Sequence, residues 1–247
     1  MKTILMLLSL LLMVGCQTTS PNYLNTDELK TNYTKLAVAS LLMPKGFGSF
    51  EAGLKTQIDP LLQAELQSRG FILVESNLVY QIHSKLLKEA NIYDVVTGEK
   101  DEFLAQEIWL EALKLAKSEL GVDAFLFVGI GIVKAHFSNH ISNMYVAVWD
   151  GQEEHALWNG HGVGSVLGSF FVKENGHLPA TSLYIEVRSE DDKVLSYGAG
   201  GIELLSKFDD DEQAVNKQPE QLFTDEVVIK QALQRAISRI DHYKGSR

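Results

Sequence analysis

The side chains suited to chemistry are seven histidines, several carboxylate clusters and one cysteine. His136 and His140 are four residues apart. Their segment reads as strand and turn, where that spacing does not bring two imidazoles to one metal as a helix would. With an acidic third ligand they make a zinc candidate; polar residues at exposed strand ends are the simpler reading. His161 and His177 flank Gly160-His-Gly162-Val-Gly164, a run without the G-x-G-x-x-G spacing or the G-K-[ST] of a phosphate loop. No G-x-S-x-G occurs, and Ser118 and Ser165 have no S-x-x-K partner, so no activated nucleophile stands out. Asp209 to Glu212 lacks the EF-hand spacing and reads as a solvated loop. The carboxylates of Asp150–Glu154 and Ser189–Lys193 fall in acidic turns and read as exposed, unlike the opposed pair that glycosidic chemistry needs. The expectation is a non-catalytic protein without cofactor or metal.

The cysteine carries a different chemistry. Lys2 gives a positive start, Ile4 to Val14 is an apolar stretch too short for a relaxed transmembrane helix, and a small residue, Gly15, precedes Cys16. Met13-Val14-Gly15-Cys16 resembles the bacterial lipobox, with Met where Leu is usual. That resemblance implies cleavage before Cys16 and acylation of its thiol and new amino group. Cys16 is the only cysteine, which removes any intrachain disulfide or cysteine-based metal site. Several acyl chains on one residue hold a protein on a membrane without spanning it. Gln17, rather than Asp, after the cysteine implies outer-membrane sorting in enteric-type bacteria.

The formal net charge is −10, and removal of Lys2 with the signal makes the chain more acidic still. Such a surface suits neither nucleic acid nor anionic lipid. The apolar fraction, 45%, suffices for a real core.

The elements that must position these groups follow in order. Residues 1–15 read as signal peptide, 16–34 as lipidated N-terminus and tether with a short helix possible at Asp27 to Lys30, 35–242 as one α/β domain, and 243–247 as a basic tail. Lys35 to Met43 reads as a strand. Leu54, Ile58, Leu61 or Leu62, and Leu66 keep helical spacing up to Gly70; at Asp59-Pro60 the helix either restarts or continues with a kink. Phe71 to Glu75 is a second strand, parallel to the first. Asn77 to Lys88 is a helix. A stronger one follows, capped by Asp101, with Leu104, Ile108, Ala112 and Leu115 on one face and Trp109, Leu113, Ala116 and Leu120 beside them, ended by Gly121.

The unbroken apolar run Ala124 to Val133 reads as a strand buried on both faces. Beyond it Lys134, His136 and Ser138 alternate with Ala135 and Phe137, so one face there meets water. Two hairpins follow, around Asp150–Glu154 and Ser189–Lys193, and the succession favours an antiparallel meander. Between them lies Gly162 to Val172. Its Val166, Leu167, Phe170 and Phe171 suggest an apolar surface element that meets a partner or the membrane. Asp225 opens a last helix whose Val228, Ala232, Leu233, Ala236, Ile237 and Ile240 form a stripe that docks on the sheet. The fold class is therefore α/β (α+β): a mixed sheet with helices packed against it.

The order lipobox, KLAVASLL, the Ser68-Arg69-Gly70 helix end, FILVES, Ala116-Lys-Ser-Glu-Leu-Gly-Val-Asp123-Ala124, and Val146-Ala-Val-Trp-Asp150 with Leu157-Trp158 resembles bacterial envelope lipoproteins with the fold of the TolB N-terminal domain. These include the curli-secretion pore lipoprotein and a penicillin-binding-protein activator lipoprotein. The resemblance implies a role in envelope assembly, with another envelope protein or a second copy as partner. Ala135 to Trp149 is too short for both legs of a membrane-spanning hairpin of the pore type. No functional residue transfers except Cys16. Replacing it, Cys16→Ser, is expected to abolish labelling by radioactive palmitate and to move the protein out of the membrane fraction; label retained on the variant would remove the anchor from the reading.

Overall fold

The structure, a computed structural model, describes residues 23–90, 92–94, 96–140, 143–157, 175–209 and 213–242. It is mixed α/β: among the described residues, five helices, a seven-stranded mixed sheet and a two-stranded one. Helix α1 is Thr26–Asn32, α2 Glu51–Ser68, α3 Leu78–Glu89, α4 Glu102–Leu120 and α5 Glu226–His242. The strands are β1 Lys35–Val38, β2 Ile72–Glu75, β3 Ala124–His140, β4 Asn143–Trp149, β5 Gln152–His155, β6 Asn175–Arg188 and β7 Val194–Leu204, with β8 Ser206–Phe208 and β9 Ala214–Asn216 forming the small sheet.

Strand β3 organises the large sheet. Its first residues pair in parallel with β1, which pairs in parallel with β2. Its last residues pair with β4. Along its other side, from Phe125 to Ser138, it pairs antiparallel with β6, and β7 adds beyond β6. The chain therefore does not continue as a meander: after β5 it returns to the opposite side of β3. The apolar run explains why. A strand without a polar face tolerates neighbours on both edges and layers on both faces.

The two faces are covered unequally. Ala124, Leu126, Val128 and Ile130, with Leu183, Ile185 and Val187 of β6, meet Leu54, Ile58, Leu62 and Leu66 of α2 and Ala232, Leu233, Ala236, Ile237 and Ile240 of α5. Phe125 and Phe127, with Ala37 and Ala39, meet Val79 of α3 and Leu113 and Ala116 of α4. Farther along β3 the same odd-numbered face packs Ala135 and Phe137 against Tyr145, Ala147 and Trp149.

Local signals account for the ends. The Leu104 amide donates to the Asp101 carboxylate at 2.9 Å, and Gly121 closes α4 with φ +58°. Leu115, expected on the buried stripe, is 43% exposed, because Ile108, Ala112, Leu113 and Ala116 form the contact instead. One helix runs through Asp59-Pro60. The first hairpin turn is shorter than the acidic run suggests. Asp150 and Gly151 both take positive φ, as a two-residue turn of primed type requires, and Gln152 to His155 is already strand. Glu154, read as exposed, accepts from the Leu204 amide at 2.8 Å and pairs with Lys207 and Lys217, the latter also meeting Glu203. The expected tether is folded from Leu24 onward: its amide donates to the Leu195 carbonyl, Asn25 and Glu28 form a capping box, and Leu29 is buried. Cys16 and the tail 243–247 lie outside the described residues.

Helix α5 lies on β7 at backbone contact. Gly198 and Gly200 face the carbonyl groups of Ala236 and Ala232, where a methyl on either glycine would collide. Gly200→Ala is expected to lower unfolding stability by at least the about 1–3 kcal/mol typical of overpacking, measured by urea denaturation. Gly53→Ala, in open space at the start of α2, is expected to be neutral or stabilising by up to about 1 kcal/mol. Equal stability of the two variants would contradict the packing.

Candidate functional site

The chain's progression across the parallel strands reverses at β1. The connection from β1 to β2 runs through α2 on one face, and that from β2 to β3 runs through α3 and α4 on the other. In open α/β sheets the crevice beyond the carboxyl ends of strands at such a reversal is where ligands bind. Here Leu42, after β1, bridges Gly129 of β3. Its amide donates to the Val128 carbonyl at 2.9 Å and its carbonyl accepts from the Ile130 amide at 2.9 Å. The crevice is thereby narrowed by backbone, and Gly46-Phe-Gly48 before α2 has Glu51 where the G-x-G-x-x-G spacing needs its third glycine, so the arrangement does not suit a dinucleotide.

Beside Leu42 opens a groove of about 380 Å³, lined by Tyr80, Trp109, Phe127, Tyr184, Glu186, Arg188 and Tyr197. Tyr80 comes from the first turn of α3, Trp109 from the middle of α4, and Phe127 from β3. Tyr184, Glu186 and Arg188 alternate along β6 and so share a face. Tyr197 of β7 stands opposite Glu186. The floor is the part of the sheet that α3 and α4 do not cover and whose other side α5 does.

Each ring has a reason for its pose. Tyr184 pairs in register with Gly129, and its phenol lies where a Cβ of Gly129 would be. Trp109 touches Tyr80, His83 and Phe127, with ring centres 5.1–6.1 Å apart. Arg188 lies over Phe127, 5.6 Å from the ring centre, and donates to Glu186 and, at 2.8 Å, to Asp192. Burial opposes the Arg188 charge, but the hydrogen bonds from its guanidinium to Asp192 and Glu186 outweigh it and raise its pKa. With two carboxylates on one guanidinium the trio carries about one net negative charge, so it does not present a free cation to an anionic ligand.

The phenols stay neutral. Burial pushes Tyr80 up to about 12, with Tyr184 adding and Arg188 opposing. Burial also raises Tyr184, helped by Glu186, and Tyr197, helped by Asp150. His83 is lowered by burial and then by Lys100, which favours the neutral ring against Trp109. The groove thus offers aromatic faces and neutral hydroxyls around a neutralised arginine. This mixture of Tyr, Trp and Arg is the composition enriched where protein interfaces concentrate their binding energy. A second cavity, about 230 Å³ at the carboxyl ends of β1 and β2, is lined by Lys55 paired with Asp59, Ser40 paired with Asn77, and the side chains of Gln63 and Glu75.

Of the residues singled out by sequence, Cys16, Val166, Leu167, Phe170 and Phe171 lie outside the described residues, as does His161. His136 is brought to His177 across the β3–β6 ladder. Among the described residues no group of three or more His, Cys, Asp or Glu is placed to hold a metal. Asp209 closes the β8–β9 turn by accepting from the Gln213 amide. The groove residues were not singled out, because they come from five separate elements. The one available cue was the alternation Tyr184, Glu186, Arg188 beside Tyr197.

No family model and no curated protein matches the chain. A solved structure described as a neuraminyllactose-binding hemagglutinin homolog from Helicobacter pylori aligns over 92% of this chain and 90% of its own, at 9% identity and a TM-score of 0.32. That similarity is too low to carry an argument about fold or function.

The raised phenols give a signed expectation. A folded-state pKa above the unfolded value means that the folded protein holds its proton longer, so this contribution is complete below pH 10 and is lost as pH rises toward 12. Unfolding stability measured by denaturant at pH 9 to 12 should fall less steeply in Tyr80→Phe than in the wild type. Identical slopes would mean that the Tyr80 phenol is not buried in the groove wall.

Proposed function

We propose that the protein is a non-catalytic outer-membrane lipoprotein, anchored through acylated Cys16 on the periplasmic side, that binds another envelope protein as an assembly or accessory factor. The observation that carries this reading is the groove. Five aromatic side chains and a carboxylate-clamped arginine line an open channel that no side chain of the described residues fills. Rigid rings give large contact area at small entropic cost, and the neutralised Arg188 favours a neutral or apolar segment over an anion.

The lipobox-like Met13-Val14-Gly15-Cys16 supplies the address, and the resemblance to TolB-like envelope lipoproteins supports the class of work. The apolar stretch with Val166, Leu167, Phe170 and Phe171 is the second contact in this reading. That stretch lies outside the described residues; β6 begins at Asn175, nine residues before Tyr184.

The test places a photo-reactive phenylalanine analogue at Tyr197 and, separately, at Phe170, in the native lipoprotein in intact cells. After irradiation, adducts are extracted in detergent and their mass determined. A discrete adduct with a second envelope protein at either position supports the reading, and the position says which contact is used. A ladder of self-adducts would replace it with a homo-oligomeric secretion component. Monomer at both positions would overturn partner binding and favour a small-ligand binder or enzyme.

A further inference from the structure

The face of β3 that carries Ala124 to Ile130 into the core loses its cover beyond Ile130. Ile132, next on that face, is 52% exposed, and Lys134 and His136 follow it into solvent. On β6 the residue in register with His136 is His177, also exposed. The two imidazoles therefore point to one side of one rigid ladder, with ring centres 5.4 Å apart and planes inclined by 60°.

That separation is one that two imidazoles on a shared metal ion can adopt. A metal–imidazole bond is about 2.0–2.1 Å, and the ring centre lies roughly 1 Å behind the nitrogen, so two rings at a tetrahedral angle have centres about 5 Å apart. We propose that His136 and His177 form a binding site for a divalent transition metal, separate from the aromatic groove. Two protein ligands leave the remaining coordination positions to water, and so the ion is exchangeable. Nitrogen ligands of this kind favour copper(II) over zinc(II) and nickel(II). Among the described residues the charged or titratable neighbours on this face are Lys134, next on β3, Glu153, in the same row beyond Val148, and His155, next after Glu153 on that face of β5. Lys134 opposes a cation, which keeps binding weaker than at a closed four-ligand site. Because the ligands come from β3 and β6, a bound ion also ties together the two strands that share the longest ladder of the sheet.

The test uses the full-length protein in detergent, stripped with a chelator and titrated with copper(II) and, separately, zinc(II) by calorimetry. The variants His136→Gln, His177→Gln and the double variant are titrated alongside, each checked for an unchanged metal-free circular dichroism melt. Copper is expected to bind the wild type saturably, with two nitrogens coupled to the copper electron spin and a raised melting temperature. Each single variant should bind at least tenfold more weakly and lose the melting shift. Wild-type affinity in the double variant would assign the metal to other histidines and overturn the site, and so would an effect confined to one of the two singles. Absence of saturable binding in the wild type would overturn it outright.

Discussion

Helix α5 rests on β7 without side chains between them, and much else depends on that contact. Gly198 and Gly200 on the strand and Ala232 and Ala236 on the helix bring backbone against backbone. Small residues bury little apolar area themselves. Their value is that they let Leu233, Ile237 and Ile240 reach down beside the strand into the same core as Leu54, Ile58 and Leu62 of α2. Polar contacts then tie other elements to the seated helix. Arg235 donates to the Gly201 carbonyl at 2.7 Å, Arg239 pairs with Asp150 at 2.8 Å, and Asp241 receives Arg69, just past the end of α2, and the Thr26 hydroxyl of α1. One helix thus fixes the hairpin turn, the N-terminal helix and the far edge of the sheet. With α5 on that side of β6 and β7, and α3 and α4 ending short on the other, the aromatic floor is left uncovered by the described residues.

A second regularity runs through the sheet. Tyr184 lies over Gly129, Phe137 over Gly176 and Trp149 against Gly201. A glycine weakens a strand because it contributes no packing surface, and a ring laid across it restores that surface, from the paired strand for Tyr184 and Phe137 and from β4, which does not pair with β7, for Trp149. The Trp149 indole also donates to the Thr181 carbonyl at 3.0 Å, so its polar edge is satisfied while its faces pack. Two of these pairs are structural. The Tyr184 pair does both jobs, filling the gap over Gly129 and presenting its other side to the groove.

Sequence reasoning reached the elements with strong local signals. The Asp101 and Gly121 caps, the apolar run of β3, the β1–α2–β2 unit and the stripe of α5 all rest on spacing and caps within one segment. It missed what needs two segments at once. Nothing within residues 175–188 says that β6 returns to β3 rather than adding to β5. The Asp150-Gly151 pair is a strong hairpin signal, but the acidic residues after it obscured where the turn ends. Glycines 198 and 200 are legible only once Ala232 and Ala236 are known to face them. The groove was hidden for the same reason, whereas the His136–His177 pair was half visible: the sequence drew attention to His136 but linked it to His140, its neighbour along the chain.

The N-terminal segment has a consequence for reach. Tyr23 lies against Tyr197, with ring centres 6.1 Å apart, so the chain joins the folded body at the rim of the groove. Only six residues lie between Tyr23 and Cys16, a reach of roughly 25 Å at full extension. With Cys16 acylated as proposed, the groove works on a short leash: its rim sweeps a hemisphere of that radius above the bilayer and no farther. A partner segment presented close to the same leaflet then meets the groove at an effective concentration in the millimolar range, so modest intrinsic affinity suffices for occupancy. The same segment offered from deeper in the periplasm lies out of range.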